Sequence, residues 1–532
     1  MPTLPLLLHD LITLQADQRP DAVALRFRKE TFNYGDLAKQ VQRFGSALQG
    51  LGLNRWERVA IYLPKRLETV IALFGVSAAG GVFIPVNPLL KPEQVAHILC
   101  DCNARVLVTT HHRAESLLAV LPACQDLHSM VLVDDFGDES GRFQQVQLWS
   151  WQNLLNTSQA LPMRQSIDTD MTAILYTSGS SGKPKGVVLS HRNLLSGAQS
   201  VTQYLGNHSG DRLLAVLPLS FDYGLSQLTT AFTVGARVVL MDYLVPRDVI
   251  TTVELEGITG LAAVPTLWIQ LAQLSWPQTA MHSLRYLTNS GGTMPRPTLT
   301  ALRNILPHVQ IFLMYGLTEA FRSTYLAPLE LERRPDSIGR AIPNAEIMVV
   351  REDGSPCAPG ELGELVHRGS LVALGYWNAP EQTAERFRPV PGRRIGLTLP
   401  EWAVWSGDLV RMDEEGYLYF ISRKDAMIKT SGYRVSPTEV EEVLYSSGLV
   451  ADALALGVPH PVLGQAIVAL VRPLGKRFDG DQLLAHCKRH LPNYMVPLEI
   501  ISRELLPFTP NGKIDRDQLV KELGDLYMEP LK

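Results

Sequence analysis

Tyr176-Thr-Ser-Gly-Ser-Ser-Gly-Lys-Pro-Lys-Gly186 lies between two short apolar runs, Ala173-Ile-Leu-Tyr176 and Val187-Val-Leu-Ser190. The runs are rich in β-formers and read as buried strands, so the polar stretch between them reads as a held loop rather than a Gly/Ser linker. Gly179, Gly182 and Gly186 let backbone N–H groups converge on phosphate oxygens. The hydroxyls of Thr177, Ser178, Ser180 and Ser181 donate further hydrogen bonds, and Lys183 and Lys185 offset negative charge. The stretch points to a polyphosphate held at the end of a strand. A Walker A loop is excluded, because Gly182-Lys183 is followed by Pro184, which has no hydroxyl for magnesium, and then by a strand instead of a helix.

Outward from this loop, strand-like runs alternate with helical patterns. Val59-Ala-Ile-Tyr62, Val106-Leu-Val108 and Met130-Val-Leu-Val133 alternate with Leu37 to Leu51 and Pro92 to Cys100, and Leu213 to Val216, Ala236 to Leu240 and Gly260 to Val264 continue the series. The alternation predicts parallel α/β layers, so the fold class is α/β with a large multilayered N-terminal body. After Asp408 the texture changes. A helix opens at Ser436-Pro-Thr-Glu439 with a capping-box pattern, two strand-like runs follow (Ala453 to Leu456 and Ala466 to Val471), and Gln482 to Leu491 is helical. That describes a small α+β domain, and we place it at residues 423–532, after a body of residues 1–422.

Composition narrows the function. The chain of 532 residues is 46% hydrophobic and 19% charged with a net charge of −4, and it has no long basic block to neutralise nucleic-acid phosphates. Cys100, Cys102, Cys124, Cys357 and Cys487 lack zinc spacing and read as free thiols of a reducing cytoplasm, with Cys100-Asp-Cys102 a chance pairing. Met1 to Leu14 has no basic n-region and no small-residue cleavage site, and reads as an amphipathic first helix. Val70 to Val86 is apolar but broken by Gly75, Gly80, Gly81 and Pro85, which fits a buried helix turning into the strand Val82-Phe-Ile84 rather than a membrane span.

Four further motifs carry chemistry. Tyr315-Gly-Leu-Thr-Glu319 follows the strand-like Val309 to Met314 and places Glu319 at a strand end, where with Thr177 it could ligate a phosphate-bridging magnesium. Asn289-Ser-Gly-Gly-Thr293 follows an apparent strand, Leu284 to Leu287, and its paired glycines admit a flat base close to the backbone. In Ser406-Gly-Asp408 the carboxylate can accept both hydroxyls of a ribose, and Arg423 can reach the ribose or an α-phosphate. Pro510-Asn-Gly-Lys513 sets a lysine just after an Asn-Gly turn, a position where a lone lysine is ordinarily a solubilising charge.

In this order, and over nearly the whole chain, these motifs resemble the adenylate-forming superfamily of acyl-CoA synthetases, luciferases and peptide-synthetase adenylation domains. The resemblance implies that the 177–186 loop grips the phosphates of ATP and that Ser290, Gly291 and Gly292 line an adenine pocket. It further implies that Tyr315, Gly316 and Thr318 contact the nucleotide, Glu319 holds magnesium and Lys513 is catalytic. The usual Thr-Gly-Asp is Ser406-Gly-Asp408 here, and Ser422 replaces the usual glycine before Arg423, which puts the local backbone geometry in question. Thr430-Ser-Gly-Tyr-Arg434 resembles the loop whose glycine, Gly432, lines a pantetheine tunnel, with Arg434 on phosphate, and Asp425 matches the hinge of a mobile C-terminal domain.

The implied reaction joins a carboxylic acid to coenzyme A through an acyl-adenylate, using ATP and magnesium. A carrier-protein thiol as acceptor, a luciferase-like oxygenase and a non-catalytic ATP-binding module stay open as rivals. Phe221 matches an acyl-pocket gate. Asp222 is open between pairing with the ammonium of an amino-acid substrate and being satisfied by a neighbouring backbone group or arginine. At closer range, Leu217-Pro-Leu-Ser-Phe-Asp-Tyr-Gly224 and Phe312 to Arg322 resemble the AMP-forming ligases associated with the exosortase A system.

Overall fold

Period-two alternation in the short apolar runs gives the body its layers. In the strand Arg58–Tyr62, Val59 and Ile61 enter one hydrophobic core while Ala60 and Tyr62 enter another, so both faces of its sheet are covered. The computed structural model describes residues 4–134, 143, 145–157, 165–177, 184–392, 396, 398–424, 427–430, 433–460, 463–475, 478–491, 493–509 and 513–527.

Among the described residues, an eight-stranded sheet runs Gly375–Tyr376, Lys185–Ser190, Met171–Thr177, Val82–Pro85, Arg58–Tyr62, Ala104–Thr109, Ser129–Leu132, Gln147–Ser150. A nine-stranded sheet runs Arg340–Ala341, Thr324–Leu326, Gln310–Tyr315, Tyr286–Asn289, Gly260–Ala263, Arg212–Ala215, Arg237–Leu240, Val23–Phe27, Glu30–Asn33. The central strands of both pair in parallel. Helices Tyr34–Gly50, Leu67–Ala78, His191–Leu205 and Asp222–Val234 share one core with the facing sides of the two sheets. Leu67–Ala78 is buried nearly all round, which accounts for its membrane-like hydropathy. No helix among the described residues is long and apolar enough to cross a membrane.

Three expectations are corrected. The α/β alternation stops earlier than the sequence suggests, since Ala345–Val350, Leu362–Gly369, Phe387–Pro389, Trp402–Met412 and Leu418–Arg423 form a separate antiparallel sheet. The first helix spans Asp10–Gln18 and not Met1 to Leu14, because the Asp10 carboxylate captures the N–H groups of Leu6 and Leu7 and fixes the preceding segment as a turn. The strand before the paired glycines is Tyr286–Asn289, as Leu284 ends the helix Gln278–Ser283.

The C-terminal sheet is built on the long antiparallel pair Val450–His460 and Gly464–Pro473. Helices Pro437–Ser446 and Gly480–His490 cover one face and Arg516–Leu523 the other. Ser436 caps the first of these by accepting from Glu439 N. All five cysteines are free thiols, with Cys100 Sγ 3.6 Å from Cys124 Sγ.

Candidate active site

In the nine-stranded sheet the strand order reverses at Arg212–Ala215, which is flanked by Arg237–Leu240 and Gly260–Ala263. The crevice beyond the carboxyl ends of such strands is where open α/β sheets form ligand sites. The segments bearing Phe221 and Asp222, Ser290 to Gly292, and Tyr315 to Glu319 all leave the sheet at this end. At Gly291 φ is +84°, and an added Cβ would stand 3.6 Å from Lys513 Cε, so the glycine turn and the C-terminal lysine share one space.

The antiparallel sheet supplies the next wall. Asp408 on Trp402–Met412 stands directly opposite Arg423 on Leu418–Arg423, and this register brings Arg423 Nε to 3.3 Å from Asp408 Oδ1. Ser422 lies in the extended strand and outside the left-handed backbone region, so no glycine is required there and the geometry in question is intact. The Tyr315 hydroxyl donates to Asp408 Oδ2. Oδ1 is buried and accepts no hydrogen bond among the described residues, an acceptor placed to receive a ribose hydroxyl. Burial raises the Asp408 pKa, against the opposing pull of Arg423 and the Tyr315 bond, while burial and the adjacent carboxylate drive the Tyr315 phenol well above its ordinary value.

Glu319 sits in the short 3₁₀ turn Thr318–Ala320. Its Oε1 accepts from the Tyr376 hydroxyl at 2.5 Å, and Lys185 Nζ lies 5.7 Å from the centroid of the Tyr376 ring. Lys185 is directly opposite Thr177 in the strand pair that flanks the glycine loop. One carboxylate oriented by a tyrosine hydroxyl fits a magnesium that keeps several waters and binds chiefly to phosphates. No group of three His, Cys, Asp or Glu among the described residues stands ready to hold a metal unaided.

Lys513 reaches this crevice from the C-terminal domain, with Nζ 5.9 Å from the Phe221 ring centroid. The lysine keeps an exposed flank, yet the protein packed around its ammonium lowers its pKa from the ordinary lysine value. Asp222, Asp408 and Glu319 oppose that lowering, whereas Arg423 adds to it.

Asp222 follows the second of its two readings. It is buried at the start of Asp222–Val234, accepts from Arg322 Nη1 at 2.6 Å and from Thr318 Oγ1 at 3.4 Å, and so has its counter-charge within the chain. Gly316 is close to this pair, since a Cβ there would stand 3.2 Å from Arg322 Cα. Arg322, one hundred residues from Asp222, and Tyr376 are the residues that sequence reasoning missed. A lone arginine after a motif and a Gly-Tyr-Trp run have no spacing that marks them. Ser178, Gly179, Ser180, Ser181, Gly182, Lys183, Asp425 and Gly432 lie outside the described residues. Arg434 belongs to the strand Tyr433–Val435, but its side chain is likewise outside them.

The sequence matches the AMP-binding enzyme family over residues 12–377 and the AMP-binding enzyme C-terminal domain over residues 439–513. It is 30% identical to a long-chain-fatty-acid–CoA ligase of Salmonella typhimurium, across 97% of this chain and 94% of that protein. The crystal structure of an anthranilate CoA ligase in complex with anthranoyl-AMP superposes with a TM-score of 0.86 at 26% identity, covering 98% of each chain. An o-succinylbenzoate CoA synthetase from Bacillus subtilis, in complex with ATP and magnesium, gives 0.81 at 26% identity over 96% of this chain and 98% of that one. Fold and site therefore define an enzyme of the adenylate-forming class. The chain belongs to the AMP-binding enzyme family.

Proposed function

We propose that the protein is an AMP-forming acid:thiol ligase acting in two half-reactions. A carboxylate oxygen attacks the α-phosphorus of ATP and pyrophosphate leaves, and a thiolate, that of coenzyme A, then attacks the acyl carbon and AMP leaves. The observation that carries this reading is Lys513, brought from the C-terminal domain to Phe221 within electrostatic reach of Asp222, Asp408 and Glu319.

In the first half-reaction Lys513 bridges the acid and the α-phosphate, a positioning and charge-stabilising role worth several kcal/mol in a site shielded from water. Asp408 takes the ribose, and Arg423, held opposite it by strand register, reaches the ribose or the α-phosphate. The Tyr315 and Ser290 to Gly292 segments bound the adenine, with Gly316 and Thr318 in the turn beneath the nucleotide. Glu319, oriented by Tyr376, and Thr177 would hold magnesium, whose charge would offset that of the phosphates. The 177–186 loop holds the β- and γ-phosphates that depart.

On this reading Lys513 occupies the side from which the thiol arrives, and the second half-reaction needs the C-terminal domain turned about Asp425 to bring Gly432 forward. The relatives differ in acid, from long-chain fatty acids to aryl acids. The test is ATP–pyrophosphate exchange over a panel of acids. Lys513→Ala is expected to abolish exchange and to spare thioester formation from supplied acyl-adenylate. Equal loss of both activities would refute the assignment. Comparing coenzyme A with a phosphopantetheinylated carrier protein as acceptor identifies the thiol.

A further inference from the structure

The helix Asp222–Val234 starts beside Lys513 and carries Tyr223, Ser226, Gln227 and Thr230 along one face, the i, i+3, i+4, i+7 spacing of a single helical stripe. These four side chains line a cavity of about 30 Å³, room for one or two small polar groups, whose far walls include Gly260 and Met314. No charged side chain lines it among the described residues. Tyr223 is satisfied there, its hydroxyl 2.6 Å from Thr288 Oγ1.

Gln227 is not satisfied. It is 7% exposed, and both Nε2 and Oε1 are buried without a hydrogen-bond partner among the described residues; Thr230, at 2%, has its Oγ1 in the same condition. Buried amides and hydroxyls are almost always paired, and an amide that offers a donor and an acceptor together is matched by a group that both accepts and donates. Hydroxyls and carboxamides do so; alkyl chains and ammonium groups do not. The neutral lining, with Asp222 already matched by Arg322, fits an uncharged tail.

Resting on the ligase reading above, we infer that the acid is compact and uncharged beyond its carboxylate, and bears a hydroxyl or carboxamide that Gln227 and Thr230 recognise. Gln227 is five residues along the helix from Asp222, so it lies roughly 7–8 Å at the α-helical rise from the helix start beside Lys513. Sites built to hydrogen-bond a substrate hydroxyl discriminate strongly against the analogue that lacks it, whereas apolar pockets resolve single methylenes weakly.

Pyrophosphate exchange with two matched pairs tests this: hexanoate against 6-hydroxyhexanoate, and 3-phenylpropanoate against 3-(4-hydroxyphenyl)propanoate. The hydroxylated member is expected to have the higher kcat/KM by about 100-fold or more in at least one pair. Gln227→Leu, and independently Thr230→Val, should shrink that ratio about tenfold or more. A ratio is unmoved by a loss of folded protein, so a merely structural role would leave it unchanged. Equal use of both members, or a preference for the plain acids, would mean that Gln227 does not bind the tail and would overturn the inference while leaving the ligase intact. Exchange with no acid of a broad panel would fail the ligase reading itself and this inference with it.

Discussion

Acidification should weaken the fold through His367 by an amount the structure fixes. The imidazole is fully buried in the strand Leu362–Gly369, with Nδ1 2.9 Å from Ser323 Oγ and Nε2 facing no partner among the described residues. Burial pushes its pKa down from 6.5 to about 3. At pH 7.5 neither the folded nor the unfolded state holds the extra proton, and the stabilising contribution is complete. As pH falls below 6.5 the unfolded chain binds the proton and the folded chain does not, so stability is lost progressively until pH nears 3. At pH 5.0 the shortfall is about 1.5 pH units at 1.36 kcal/mol each, about 2 kcal/mol.

Other groups also titrate in this range, Glu442 among them with its pKa raised by burial to about 7, so the wild type alone does not isolate the effect. His367→Asn does, because asparagine can keep the Ser323 bond and cannot titrate. Urea unfolding followed by tryptophan fluorescence at pH 7.5 and 5.0 is expected to show that wild type loses about 2 kcal/mol more than the variant on acidification. Equal losses would refute the reasoning. Ser323 N bonds Tyr315 O to close the turn that carries Glu319 and Arg322, so exchange activity should fall with the fold as pH drops.

Two further substitutions probe the site. Tyr376→Phe removes the hydroxyl that orients Glu319; a hydrogen bond to a charged group contributes about 1.5–3 kcal/mol, so the magnesium needed for half-maximal exchange should rise by about 10- to 100-fold, and an unchanged magnesium titration would contradict the role given to Glu319. Gly224→Ala places a Cβ 1.9 Å from the Pro218 carbonyl oxygen, a backbone clash expected to cost about 1–3 kcal/mol or more; a variant with wild-type thermal stability and activity would show that the helix does not need this close approach.

The parallel core was legible because its strands are continuous apolar runs: Val59 to Tyr62, Gly260 to Ala263 and the pair flanking the glycine loop appear where their composition puts them. The antiparallel sheet was not, since strands such as Leu362–Gly369 mix Glu364, His367 and Arg368 with apolar residues. Motif residues were legible as types, and their juxtaposition only partly so. Asp408 and Arg423 face each other because of a hairpin register that follows from turn length and bulge position, which spacing alone does not give. The counter-ion of Asp222 was invisible, because one lone arginine among many carries no sign of which carboxylate it will meet in the fold.

The hairpin that pairs Asp408 with Arg423 also fixes how the two parts of the chain are joined. Its last rung is Lys424 N to Gly407 O, and the C-terminal sheet begins at Ile428, so residues 425 to 427 are the whole connection. Four Cα–Cα steps span at most about 15 Å. Under the proposed rotation, a tether that short would hold the C-terminal domain at a high effective concentration over the crevice in every orientation. Engagement of Lys513 would then be an intramolecular equilibrium, indifferent to dilution of the protein and open to bias by what occupies the crevice.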